Sequence, residues 1–141
     1  MASYVYDISF VNMPVDILRD AGHLTGPNLT LYRAYPQLSY DILRKVDFPW
    51  PIADIVLQHR ERFDGSGFPR EIKGEDILIE ARILAVADAI EDLTCHRAFR
   101  NPFPLKQVLD EIRDHRGSQY DPDVVDACLR LFKEKGYKME S

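Results

Sequence analysis

Two ionisable residues lie in apolar patterns where a charge has to be accounted for. His59 shares one face of a helical repeat with Ile52, Ile55 and Val56. Asp88 sits inside the apolar series Ile83, Leu84, Val86, Ala87, Ile90 and Leu93, and a buried carboxylate needs a partner. Imidazole and carboxylate suit divalent transition metals, and a bound metal lowers the pKa of its water. Taken alone, His59 reads more simply as a packed or hydrogen-bonded histidine than as a ligand, whereas Asp88 resists so simple a reading. The two cysteines, Cys95 and Cys128, are far apart in apolar helical patterns without zinc spacing. They read as buried thiols of a reducing cytosol, with a disulfide as the lesser alternative.

The elements that would position these residues are helical. Tyr4 to Val11 alternates loosely and fits a strand or a buried helix end. Pro14 opens a helical stretch through Val15, Ile17 and Leu18, and Gly22 with Gly26-Pro27 marks a loop. A helix starting near Asn28 carries Leu29, Leu31 and Tyr32 on its apolar side. Pro36 interrupts it, and Leu38, Ile42, Leu43 and Val46 continue the spacing. Pro49-Trp50-Pro51 breaks the chain before the His59 helix. Asp64 to Gly74 is turn-rich, and the longest helix is expected from Ile77 to about Arg97. Leu105, Val108, Leu109 and Ile112 make another helix, closed by Gly117. Asp121-Pro122 caps and opens the last one, which carries Val124, Val125, Cys128, Leu129 and Phe132 and ends at Gly136. No hairpin pattern occurs, so the expected class is all-α, in one domain spanning 1–141.

Composition bounds the function. The 141 residues are 45% hydrophobic and 29% charged, enough for a packed core and too apolar for wholesale disorder. A formal net charge of −5 without a basic run argues against a nonspecific nucleic-acid grip. No secretory signal and no membrane-length apolar stretch is visible, which points to the cytoplasm.

Three segments carry a family resemblance. His59 to Pro69, HRERFDGSGFP, resembles the HHE...DGSGYP segment of HD-GYP domains, and ARILAVADAIEDLTCHRAFR, Ala81 to Arg100, resembles that family's ARI-x-AVAD helix and basic turn. Tyr120-Asp121-Pro122 with Val124-Val125 is similar to its closing helix. Tyr6-Asp7-Ile8-Ser9-Phe10 falls where the family has HDIGK, and Tyr35-Pro36 where it has His-Pro. The resemblance implies an HD-domain-like helical bundle. It also implies a His/Asp/Glu cluster that holds iron or manganese and activates a water against a phosphodiester of cyclic di-GMP.

Position by position, the implied site is depleted. Asp7, His59 and Asp88 remain as remnant metal-site positions. Tyr6 and Tyr35 stand where histidines would be, Arg60 replaces the second of the paired histidines, and Phe10 replaces a lysine. Two further family ligands belong to upstream helices that the sequence is expected to lack. An arginine is a permanent cation, and a tyrosine must lose a proton with a pKa near 10 to ligate. The reading is therefore of a degenerate domain with no catalytic residues intact, no metal and no cofactor. In the expected geometry Arg60 pairs with Asp88, and with Asp7 as a second partner, in place of the metal, against an alternative in which it points to solvent with Arg62.

Two features remain for binding. Arg97 and Arg100 match basic positions that the resemblance turns toward phosphates, set against a solvated helix end. The loop Gly67-Phe68-Pro69 matches a segment linked to contacts with GGDEF-type domains, set against a connecting loop that serves only the fold. The expected function is a noncatalytic signalling module that binds a partner domain or a nucleotide such as cyclic di-GMP. A metal-dependent phosphohydrolase of cyclic di-GMP, using iron or manganese, and a structural dimerisation unit are the alternatives. An apolar patch of Tyr4, Val5, Ile8 and Val11 predicts a homodimer.

Overall fold

The computed structural model describes residues 1–19, 23–95 and 101–134. Among the described residues seven α-helices follow one another: α1 Val15–Arg19, α2 Gly26–Arg33, α3 Tyr35–Leu43, α4 Ile52–Gln58, α5 Ile79–Thr94, α6 Leu105–Asp114 and α7 Pro122–Glu134. Among the described residues there is no β-strand, so the chain is all-α, as the patterning implied.

Helix α5 is the shared wall. Its Val86 and Ile90 meet Val108 and Ile112 of α6, Val125 of α7 and Tyr120 in one cluster. Its Ala81 and Leu84 meet Ile55 of α4 and Ile77 in another. On the far side of α4, Ile52 and Val56 pack with Leu43 of α3. The N-terminal segment and α1 contribute Met13 and Ile17 around Tyr35.

A polar clasp closes the α5–α7 side. Asp121 caps α7, accepting hydrogen bonds from the amides of Asp123 at 2.7 Å and Val124 at 3.2 Å. The same carboxylate forms an ion pair with Arg82 of α5. Burial pushes the Asp121 carboxyl up, but Arg82 and the two amides outweigh it and hold the group below the ordinary range.

Several boundaries and faces differ from expectation. The Tyr4–Val11 stretch is neither strand nor α-helix but two 3-10 segments, Ala2–Tyr4 and Ile8–Asn12. Helix α2 starts at Gly26 with Pro27 in its first turn, and Pro36 sits in the first turn of α3, where its missing N–H has no helical partner to lose. Leu31, Leu38, Ile42 and Val46, expected to form the apolar face, are exposed, and α3 buries Tyr35, Pro36, Ser39 and Leu43 instead. The longest helix among the described residues is α5, Ile79–Thr94; it starts after Ile77, because Ile77 and Leu78 are extended, Cys95 leaves helical angles, and the expected end at Arg97 lies outside the described residues. Ile79, Ile83 and Ala87 face outward and line an apolar groove with Val124, Ala127 and Leu131 of α7. Cys95 and Cys128 form no disulfide with each other and are half-buried in place of the full burial expected.

Candidate functional site

The site collects residues from four elements. Tyr6 and Asp7 come from the turn between the two 3-10 segments, and Tyr35 from the first turn of α3. His59 and Arg60 follow the end of α4, and Asp88 projects from the middle of α5. His59 thus caps α4 rather than lying inside it.

The hydrogen bonds run in one direction. His59 is 1% exposed, and its Nδ1 lies 2.6 Å from the Val56 carbonyl. A carbonyl only accepts, so Nδ1 carries the proton and Nε2 is the acceptor. The Tyr35 hydroxyl, 2.8 Å from Nε2, donates to it. Arg60 Nε donates in turn to the Tyr35 oxygen, and Arg60 Nη1 reaches Asp88 Oδ2 at 3.0 Å. The guanidinium also lies 5.8 Å from the centre of the Tyr35 ring. Arg60 is therefore turned inward onto Asp88 and not outward with Arg62, which stacks on Tyr120.

Electrostatics lock this arrangement in a single protonation state. Burial, reinforced by the adjacent Arg60 cation, lowers the His59 pKa from 6.5 to about 3, so the imidazole is neutral. Burial also pushes the Tyr35 phenol far above its ordinary value in spite of Arg60. The Tyr6 phenol rises for the same reason, with the charges of Asp88 and Asp7 adding to burial. Arg60 stays cationic, because Tyr35 and Asp88 more than offset its desolvation.

Aromatic packing fills the remaining volume. The Tyr6 ring meets His59 edge-on at 5.2 Å, and Phe10 lies 4.6 Å from Tyr35. Asp7 is half-buried beside them, close enough to act on both phenols.

This donor set does not fit a metal. Both nitrogens of His59 are engaged with protein, the free oxygen of Tyr35 faces a cation, and Asp88 already serves one. Among the described residues no three His, Cys, Asp or Glu side chains gather in a way that could hold an ion. The structure brings Asp7, His59 and Asp88 into one region with Tyr6, Tyr35 and Arg60. Arg97 and Arg100 lie outside the described residues.

Sequence reasoning missed three contributors. Ser39 and Ser9 are buried, bonded to each other at 2.8 Å, and Ser9 Oγ donates to the Tyr35 carbonyl at 3.0 Å. They fasten the N-terminal turn to α3 and so place Tyr6 and Asp7. The one available sign was a small polar residue, Ser39, four positions after Tyr35. The Val56 carbonyl gave no sign at all.

The Gly67-Phe68-Pro69 loop also differs from an exposed contact strip. Gly67 is buried against the chain, and a Cβ there would come within 2.3 Å of the Arg62 nitrogen. The Phe68 ring packs into the Tyr35 cluster, with Arg33 5.6 Å above it.

A model of the HD domain matches residues 1–124. The chain belongs to the HD domain family. Its relatives place this HD domain in the HD-GYP group. It is similar to a cyclic di-GMP phosphodiesterase of Thermotoga maritima, 36% identical over 135 residues that make up 94% of this chain and 37% of that protein. It is similar to the cyclic di-GMP phosphodiesterase response regulator RpfG of Xanthomonas campestris, 35% identical across 92% of this chain and 35% of that protein. A 3'3'-cGAMP-specific phosphodiesterase of Vibrio cholerae is 29% identical across 94% of the chain and 26% of its own length. This HD domain chain thus spans between about a quarter and little more than a third of these relatives. The fold matches a HDG"Y"P protein from Bdellovibrio bacteriovorus with a TM-score of 0.72, at 18% identity, over 94% of this chain and 42% of that one.

Proposed function

We propose that this HD domain is a noncatalytic signalling module, which binds a partner domain or a cyclic dinucleotide without hydrolysing it. The carrying observation is the continuous chain from Val56 through His59, Tyr35 and Arg60 to Asp88. It commits the acceptor atoms that a metal would need, and it supplies the positive charge that a metal would bring. The phosphodiesterase names of the relatives support a place in cyclic-dinucleotide signalling. In this reading the Gly67-Phe68-Pro69 loop meets a signalling domain of the GGDEF type, and a second copy covers the N-terminal apolar residues. A cytoplasmic location fits such a role, and no helix among the described residues is long and apolar enough to cross a membrane.

The test combines three measurements on the purified chain grown with iron and manganese. Elemental analysis should find far less than one transition metal per chain. Incubation with cyclic di-GMP and with 3'3'-cGAMP should leave both nucleotides intact. Calorimetric titration with cyclic di-GMP then separates nucleotide binding from partner binding alone. A tightly held metal together with turnover would replace this reading with that of a metal-dependent phosphohydrolase.

A further inference from the structure

Helices α5 and α7 lie side by side and run the same way. Arg82, in the first turn of α5, pairs with Asp121 at the start of α7, and further along Ile90 of α5 shares a cluster with Leu129 and Phe132 of α7. On the outer side of this contact each helix keeps an apolar row. Ile79, Ile83 and Ala87 recur at four-residue spacing on α5, and Val124, Ala127 and Leu131 line the opposite wall. Ile79 is 44% and Ile83 51% exposed. The groove between the rows runs from Ile79 to Ile90, about 16 Å or three helical turns. An alanine stands in each wall, Ala87 and Ala127, and lets a third backbone come close.

Charge is confined to one end. Among the described residues Asp123 is the only charged side chain that lines the groove. Glu80 is the only one that lines its continuation past Ile83 and Ala87 toward Trp50. Both stand in the first turn of their helices, so they share the end where α5 and α7 begin. Neither carboxylate forms an ion pair among the described residues.

We propose that this groove receives an amphipathic helix of another protein, its apolar face in the trough and a basic last turn over Asp123 and Glu80. A helix laid antiparallel to α5 and α7 brings its C-terminal turn to the acidic end, and that turn is where a helix's own dipole favours Lys and Arg. A second copy of this chain does not fit, because a symmetric pair sets groove against groove with no ridge to enter either. The groove lies apart from the Gly67-Phe68-Pro69 loop. The proposal goes beyond the module reading, and metal content and turnover do not bear on it.

Two fluorescent helical peptides test this on the full chain. They share a Leu and Ile face at helical spacing and differ in the last turn, Lys in one and Glu in the other. Fluorescence anisotropy should show the Lys peptide binding about tenfold more tightly or better, as two charge pairs at a partly exposed rim imply. Glu80→Lys combined with Asp123→Lys should reverse the order of the two peptides. Ile83→Glu, at an exposed position, should weaken both about tenfold or more. Cys128 lines the groove and gives a reading that needs no variant: bound Lys peptide should slow its alkylation by iodoacetamide. Cys95, which does not line the groove, should keep its rate. Equal affinity for the two peptides, binding that survives Ile83→Glu, or an unprotected Cys128 would overturn the proposal. So would a wild-type dimer that Ile83→Glu converts to monomer, since a second copy would then occupy the groove.

Discussion

Arg60 makes two demands that only a guanidinium meets: Nε serves the Tyr35 oxygen while Nη1 serves Asp88. A lysine has one nitrogen and cannot span both. Arg60→Ala should lower unfolding free energy by about 3 kcal/mol in denaturant titrations, because it strands the Asp88 carboxylate in the interior. Arg60→Lys should fall between that variant and the wild type. An unchanged transition midpoint in Arg60→Ala would mean that the pair contributes nothing. His59 gives a second prediction. Its folded pKa of about 3 lies below the ordinary 6.5, so the unfolded chain binds a proton that the folded chain refuses. Its contribution is fully present above about pH 6.5 and is lost as pH falls toward 3, at about 1.4 kcal/mol per unit. Unfolding curves at pH 7 and pH 5 should differ by about 2 kcal/mol, and in His59→Gln most of that difference should vanish.

At the scale of elements, the end of α7 depends on one carboxylate with two tasks. Asp121 caps the helix through Oδ1 and pairs with Arg82 through Oδ2. Asp121→Asn can still accept from the α7 amides but leaves Arg82 half-buried without its counter-charge. Asp121→Ala loses both tasks. The expected order in thermal unfolding is wild type above Asp121→Asn above Asp121→Ala, with the alanine variant down by about 2 kcal/mol or more. Equal melting temperatures for the two variants would show that the ion pair with Arg82 alone matters. Because the folded pKa of Asp121 lies below its ordinary value, its contribution is present above about pH 4 and is lost as pH falls through the lower folded value.

At the scale of the whole molecule, the two most exposed large apolar side chains among the described residues lie on the N-terminal turns. Tyr4 is 90% and Val11 86% exposed, and Ile8 lies on the same segment, while Val5 is half-buried against Leu43 and Ile52. Apolar side chains this open are usually covered by another surface. Light scattering coupled to size exclusion at tens of micromolar should show a dimer, and Tyr4→Asp combined with Val11→Asp should shift it to monomer. A wild-type chain that elutes as a clean monomer would remove this expectation.

Much of the architecture was legible in the sequence because helices declare themselves locally. Periodicity located α4 to α7, Asp121-Pro122 marked the start of α7, and the DGSG and AVAD segments carried the family. The pairing of Arg60 with Asp88 was also readable, since a cation in place of a ligand beside a buried carboxylate leaves few other partners. Which apolar residues face inward was not readable in α3, where Leu38 and Ile42 obey helical spacing yet lie outside, while Ser39 lies inside. Spacing states only that residues share a face, and the neighbouring elements decide whether that face is covered. The same holds for the buried Glu61, whose Oε1 meets the Arg70 amide at 2.7 Å. Backbone groups have no letter in the sequence, so that contact was settled by the tertiary structure alone.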